Sequence, residues 1–314
     1  MMKTVAQIFC LAGMMFLTGS CSVRKMVIHE MAEMTVESMA VFEEDSNLDL
    51  IENALPSNMK LLEVMLEKDP GNKNLLEVLA RMYGSYGFAF YETRLEALSM
   101  APEVDMTDVV SFPDTNVPRM RKALEQVYLK GLDYAVRALA IRYENCRDQL
   151  KTMDTTEDFI RTLTLKDVPA LFWYGFNLGG YVNLNRDSVS ALAMVPLVEK
   201  AMNRVVELDP DYFNAGAHLY LLAFHGSRSP LMGGNPEAAR LHYEELRKRA
   251  GQEYLLADVF YARYYLYQSQ DREAFEKLLN RVLETKDEKK YALMNQVARI
   301  RAGIYLKAMD DLFP

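Results

Sequence analysis

The stretch LVEKAMNRVVELDPDYFNAGAHLYLLAFHG, residues 197–226, reads as two helices joined at a stop. Val198, Met202 and Val205 recur four and three apart, which places them on one helical face. Asp209-Pro210 then ends the run, because proline has no N–H to donate and its ring clashes with the preceding turn. A second apolar-rich helix follows. LLEVMLEKDPGNKNLLEVLARMYGSYGFAF, residues 61–90, repeats the same parts around another Asp-Pro. The 11 prolines and 15 glycines cluster between such segments, and alternating runs of valine, isoleucine and threonine are absent, so the chain reads as all-α.

The helices repeat. In the 34-residue tetratricopeptide unit, apolar residues precede the closing proline by twelve, eight and five positions, where Val198, Met202 and Val205 stand before Pro210. Ala239, Tyr243 and Leu246 keep the same spacing before Gly251. The step from Pro210 to Gly251 is 41 residues, so this unit carries about seven beyond the period, around His225 to Leu231. Such units cannot bury their apolar faces alone and must stack. The expected fold is one compact domain of tetratricopeptide-like helical hairpins over 45–314, in units 45–99, 118–195, 196–250 and 251–313. Proline-rich 100–120 and irregular 175–195 interrupt the pattern.

At the N-terminus, Lys3 precedes an apolar run from Ile8 to Leu17 that closes on Leu17-Thr18-Gly19-Ser20-Cys21. The run is about half the roughly 20 residues of a spanning helix, and it ends in small residues before a cysteine. That pattern reads as a lipoprotein signal peptide over 1–20 with Cys21 as the lipid-bearing residue, although the leucine customary three before the cysteine stands four before it; the alternative is ordinary secretion by cleavage near Ser20, with Cys21 a plain N-terminal thiol. Residues 21–44 then form an anchor segment and first helix. Ser22, in place of an inner-membrane-retaining aspartate, points to the periplasmic leaflet of the outer membrane. With Cys10 removed and Cys21 lipidated, Cys146 is the sole remaining thiol, which leaves no disulfide and no cysteine metal site. A net charge of -8 argues against nucleic acid as a partner.

Chemical motifs are missing. Gly226–Gly233 lacks the Lys-Ser/Thr of a phosphate loop, and Ser227 and Ser229 have no Gly-x-Ser-x-Gly elbow. His218 and His225 share a helical face without a His-Glu-x-x-His pattern, so they read as packing. Adjacent carboxylates such as Glu43-Glu44 point about 100° apart and cannot share a substrate. No catalytic residue, metal or cofactor is assigned.

Binding has better support. ALFWYGFNLGGYVNLNRD, residues 170–187, mixes Phe172, Trp173, Tyr174, Phe176 and Tyr181 with Asn177, Asn183 and Asn185. Aromatic area with directional amides suits a ligand cavity, and it equally suits a buried corner where helices cross. Gly179-Gly180 allows a tight turn or a close helix contact. The surplus loop, with His225, Arg228 and Leu231, is a candidate cavity rim or partner contact. Its end, Gly233-Gly234-Asn235-Pro236-Glu237, is a helix start in which Asn235 caps the free amides and Pro236 takes the first helical position.

Taken in order, LFWYGFNLGGYVNLNRDS, ALAMVPLVEKAMNRVVELDPDYFNAGAHLYL, SPLMGGNPEAARLHYEEL, VFYARYYLYQSQDREAFEKLLNRVL and NQVARIRAGIYLKAMDDLF resemble the T component associated with TRAP transporters. The matching frame is Trp173, Gly180, Asp209-Pro210, Pro230, Gly233-Gly234, Asn295 and Asp311 to Phe313. The resemblance implies a non-enzymatic, lipid-anchored periplasmic subunit that forms a homotrimer. It also implies contact with the substrate-binding P component and passage of a small organic ligand, hydrophobic ones included. A repeat scaffold for another envelope protein, with no small-molecule ligand, is the alternative; an uncharacterised hydrolase is a third.

Overall fold

A computed structural model of the chain describes residues 26–100, 116–150, 152–286 and 289–313. The signal segment, Cys21 and most of the proline-rich 100–120 connection lie outside the described residues. Among the described residues the structure is helical with no strand, and no helix is long and apolar enough to cross a membrane.

A lead-in over 26–37 and Ala40–Glu43 precedes two antiparallel-reading segments, α1 (Leu48–Lys68) and α2 (Lys73–Tyr86). Asn47 and Asn72 cap them, each accepting from the backbone amide three residues on, at 3.0 and 3.1 Å. Such a cap contributes about 1 kcal/mol. Beyond Tyr86, α2 widens into a π-helical stretch, Gly87–Glu92, and resumes as α-helix through Thr93–Met100. Next come α3 (Val117–Ala140), α4 (Met153–Thr162) and α5 (Val168–Leu184). The stretch 197–226 is the expected pair, α6 (Val195–Leu208) and α7 (Tyr212–Gly226), with the break at Asp209-Pro210. Then follow α8 (Pro236–Ala250), α9 (Leu256–Tyr261), a second π-helical stretch at Ala262–Leu266, α10 (Arg272–Glu284) and α11 (Ala292–Lys307).

The residues read as inward-facing are inward-facing. Val198, Met202 and Val205 are buried, as are Ala239 and Leu246, while Tyr243 is half-buried. Each large apolar side chain so buried contributes about 1.5–3 kcal/mol. Asn235 accepts from Ala238 N at 3.1 Å, with Pro236 opening α8 and Gly233 at φ 81°, a left-handed conformation that glycine adopts without strain. Asn295 is fully buried: its Oδ1 accepts from Leu255 N at 3.0 Å and its Nδ2 donates to Glu253 O at 2.9 Å, fastening α11 to the start of α9. Cys146 is buried, and burial pushes its thiol up to about 11, so it packs as an inert side chain.

The packing order places the site. α3 lies against α2 and α5, α5 against α6, α6 against α7, and α7 against α8. At the far end α11 packs on Thr93–Met100. Arg301 secures that contact: Nε donates to Thr93 Oγ1 at 3.0 Å, Nη1 to Glu96 Oε2 at 3.1 Å and Nη2 to Phe88 O at 3.1 Å. In an open repeat stack each unit touches only its neighbours. Here the last long helix returns to the first hairpin, and the arrangement closes around an interior space.

Candidate functional site

The interior space is a cavity of about 290 Å³ walled by α2, α3, α5, α6, α7, α9 and α11. That is the low end of the range for small-molecule sites. Its aromatic wall is continuous. Trp173, the only tryptophan, lies 4.9 Å from Phe172, 5.2 Å from Phe176 and 4.8 Å from Phe213 between ring centroids. Phe88 bridges the two sides, 5.9 Å from Phe176 and 6.0 Å from Phe260. Spacings of this size, mostly tilted or edge-on, are the favoured geometry for ring pairs.

Irregular backbone builds much of this wall. The first π-helical stretch carries Phe88 and Glu92 to the cavity, and the second carries Tyr264. Phe213, Asn214 and Ala215 at the start of α7 are left-handed, with φ 48°, 58° and 57°. For residues with a Cβ this conformation costs roughly 1–2 kcal/mol each, with asparagine the most tolerant. It sets Phe213 against Trp173 and under the Arg81 guanidinium, 5.0 Å from the ring centroid.

Gly179 and Gly180 allow neighbouring tyrosines to reach the cavity wall. A Cβ on Gly180 would stand 2.5 Å from Tyr128 Cζ, and one on Gly179 would overlap the Tyr220 hydroxyl. Tyr128 donates to Glu92 Oε1 at 2.7 Å, and Glu92 Oε2 lies 3.7 Å from Arg301 Nη2. Burial raises the Glu92 carboxyl above its ordinary value, against the opposing pull of Arg301 and the Tyr128 hydrogen bond. Burial also works against charge on Arg301, but Glu96, Tyr305 and Glu92 outweigh it and hold the guanidinium protonated.

The sequence-derived candidates divide between this cavity and other places. Trp173, Gly180 and Arg228 line it. Tyr174 and Asn177 lie in the same helix but in the packed core, and Tyr181 and Asn185 are half-buried outside the lining. Asn177 is fully buried, and its Nδ2 donates to Ala80 O at 3.1 Å and Trp173 O at 2.7 Å, tying α5 to α2. In the surplus loop, Ser227 joins Arg228 in the lining, whereas Leu231 is 97% exposed. His225 stacks on His242 at 5.7 Å, and His242 Nδ1 lies 3.0 Å from His218 Nδ1. Among the described residues no group of three or more histidines, cysteines or carboxylates is disposed to hold a metal ion.

Glu92, Arg186, Phe213 and Arg301 escaped the sequence reading. The one usable signal was Arg301 itself, a charge set among the apolar residues of IRAGIYL.

The sequence profile of the TRAP transporter T-component family matches residues 44–313. The chain is also 26% identical, over 251 residues, to an uncharacterised protein of Treponema pallidum (strain Nichols), covering 77% of this chain and 72% of that one. The family consists of transporter accessory subunits and is not a family of enzymes. Its profile spans both the cavity-forming helices and the closing contact of α11, and the chain belongs to the TRAP transporter T-component family.

Proposed function

We propose that this TRAP accessory subunit takes up a small, largely apolar organic ligand in the cavity around Trp173 and passes it to, or receives it from, a substrate-binding P component. The observation that carries this reading is the cavity itself. It is aromatic-walled, carries its polar groups beside those rings, and is formed from seven helices. The same reading takes the helical hairpins as tetratricopeptide-like, the surplus loop around His225 to Leu231 as a rim or docking element, and the assembly as a homotrimer. It takes residues 1–20 as a signal peptide and Cys21 as a lipid anchor in the periplasmic leaflet of the outer membrane.

Native mass spectrometry of the protein purified from its own envelope tests the ligand. The expected result is a retained small molecule, released by organic extraction with a change in Trp173 fluorescence. Protein that carries no such molecule and takes up no apolar probe overturns the cavity reading. Co-purification with a TRAP substrate-binding protein tests docking, and failure at high micromolar concentration counts against it. Light scattering of a strict monomer refutes the trimer, and continued membrane attachment of Cys21→Ala refutes the anchor.

A further inference from the structure

One end of the cavity carries positive charge that the protein itself leaves unpaired. Arg186, just beyond α5, and Arg228, just beyond α7, both line it. Arg186 donates to Asn183 Oδ1. Arg228 donates to Phe224 O at 3.1 Å and lies over the Phe224 ring, 4.1 Å from its centroid. Among the described residues neither guanidinium has a carboxylate partner. Arg301, deeper in, is satisfied by Glu92, Glu96, Thr93 and Phe88.

Tyr220 sits among these groups. It lines the same cavity, its hydroxyl lies against Gly179 of α5, and it makes no hydrogen bond to a described residue. Glu92 is the cavity's carboxylate, and it is engaged by Tyr128 and Arg301. The lining therefore presents three guanidinium groups against one carboxylate, in a chain whose net charge is -8. A low-dielectric wall concentrates such a local excess of one sign. A planar guanidinium with free donors matches a carboxylate, and a cation would be repelled.

We propose that the cavity is selective for an amphipathic anion, whose carboxylate head is held by Arg186 and Arg228 with Tyr220 donating, and whose apolar body lies against Trp173 and Phe213. The proposal rests on the cavity reading and adds the headgroup to it. A space of about 290 Å³ suits a small acyl body.

The test compares decanoate, decanol and decylamine below their micellar concentrations, followed by Trp173 fluorescence and by calorimetry. Decanoate is expected to bind at least tenfold more tightly than the other two, the difference that one charge-assisted contact supplies. In the Arg186→Met/Arg228→Met double variant the preference should vanish while decanol binding is unchanged. Should that variant not fold, Arg186→Met alone, at an exposed side chain, carries the same comparison. Tyr220→Phe should weaken decanoate and leave decanol as it was. Decanol binding as tightly as decanoate, or a preference that survives loss of the arginines, overturns the anion assignment and leaves the apolar cavity standing. Binding of none of the three overturns the cavity reading as well.

Discussion

Replacing Arg301 by methionine tests whether the closing contact between α11 and α2 is held by charge or by packing. The guanidinium is 3% exposed, and it serves Thr93, Glu96 and the Phe88 carbonyl while lying 3.7 Å from Glu92 and 4.4 Å from the Phe88 ring centroid. Methionine keeps most of the stem's volume and removes every donor. Glu92 and Glu96, one helical turn apart, are left facing each other without their shared cation, and the Phe88 carbonyl loses a partner. Removing one member of a buried ion pair costs about 3–5 kcal/mol, and retained packing should not offset much of it. For a domain whose stability is about 5–15 kcal/mol this is a large fraction. Urea unfolding followed by circular dichroism should show the midpoint falling by about 1–2 M. Glu96→Gln added to the variant should recover part of the loss, because it removes the negative charge beside Glu92, although Glu96 keeps Tyr305 and Arg263 as partners. The penalty should also shrink as pH falls, since burial already raises the Glu92 carboxyl above its ordinary value and it then accepts a proton readily. A loss under about 1 kcal/mol, unchanged by pH or by Glu96→Gln, would refute the electrostatic account.

Gly180→Ala drives a methyl into the Tyr128 ring, which its bond to Glu92 holds in place, and should cost about 1–3 kcal/mol in a thermal or urea melt. An unchanged melt would mean that the ring has room to move. Burial lowers all three clustered histidines, and His242, also repelled by His218 and His225, falls to about 4. A depressed imidazole is neutral in the fold, so its contribution is complete above pH 6.5, the ordinary histidine value, and is lost as pH falls from 6.5 toward 4. Arg249, Glu245 and Asp211 act on His218, and Glu199 and Arg228 on His225. His242→Gln should flatten this pH window by on the order of 2 kcal/mol after screening, and an unaltered pH profile would exclude the cluster as its source. Asn235→Ala removes the α8 cap and should cost about 1 kcal/mol, measured by the same melts, with a neutral result showing that the loop alone sets the helix start.

The hairpins were legible because their determinants are local. Asn72 and Asn235 cap helices within three residues of themselves, Asp209-Pro210 stops one, and Val198, Met202 and Val205 mark a face at a period that a single segment reveals. The closing contact was not, since Arg301 meets partners 205 to 213 positions away and no local rule links them. Within 170–187 the composition identified the right helix without identifying its cavity face. Trp173 and Phe176 line the space while Tyr174 and Asn177 turn into the core, because successive residues rotate by about 100° and both faces are apolar.

What composition could not convey is how a cavity survives inside a stack of apolar helices. Interiors pack to crystal-like density, so side chains of ordinary helices would fill the space. The walls here depart from ordinary helix at three places: the π-helical stretches at Gly87–Glu92 and Ala262–Leu266 and the left-handed turn at Phe213–Ala215. Each contributes a side chain to the lining, Phe88, Tyr264 and Phe213. GFAFYE and ARYYL are compatible with plain α-helix, and the left-handed turn contains no glycine, so none of the three is announced by its residues. Two of them meet distant side chains: Arg301 donates to the Phe88 carbonyl, and Arg81 with the Trp173 ring packs on Phe213. Backbone irregularity concentrates where function needs it. In this chain the three irregular stretches and the cavity coincide, each placing one aromatic ring in the wall.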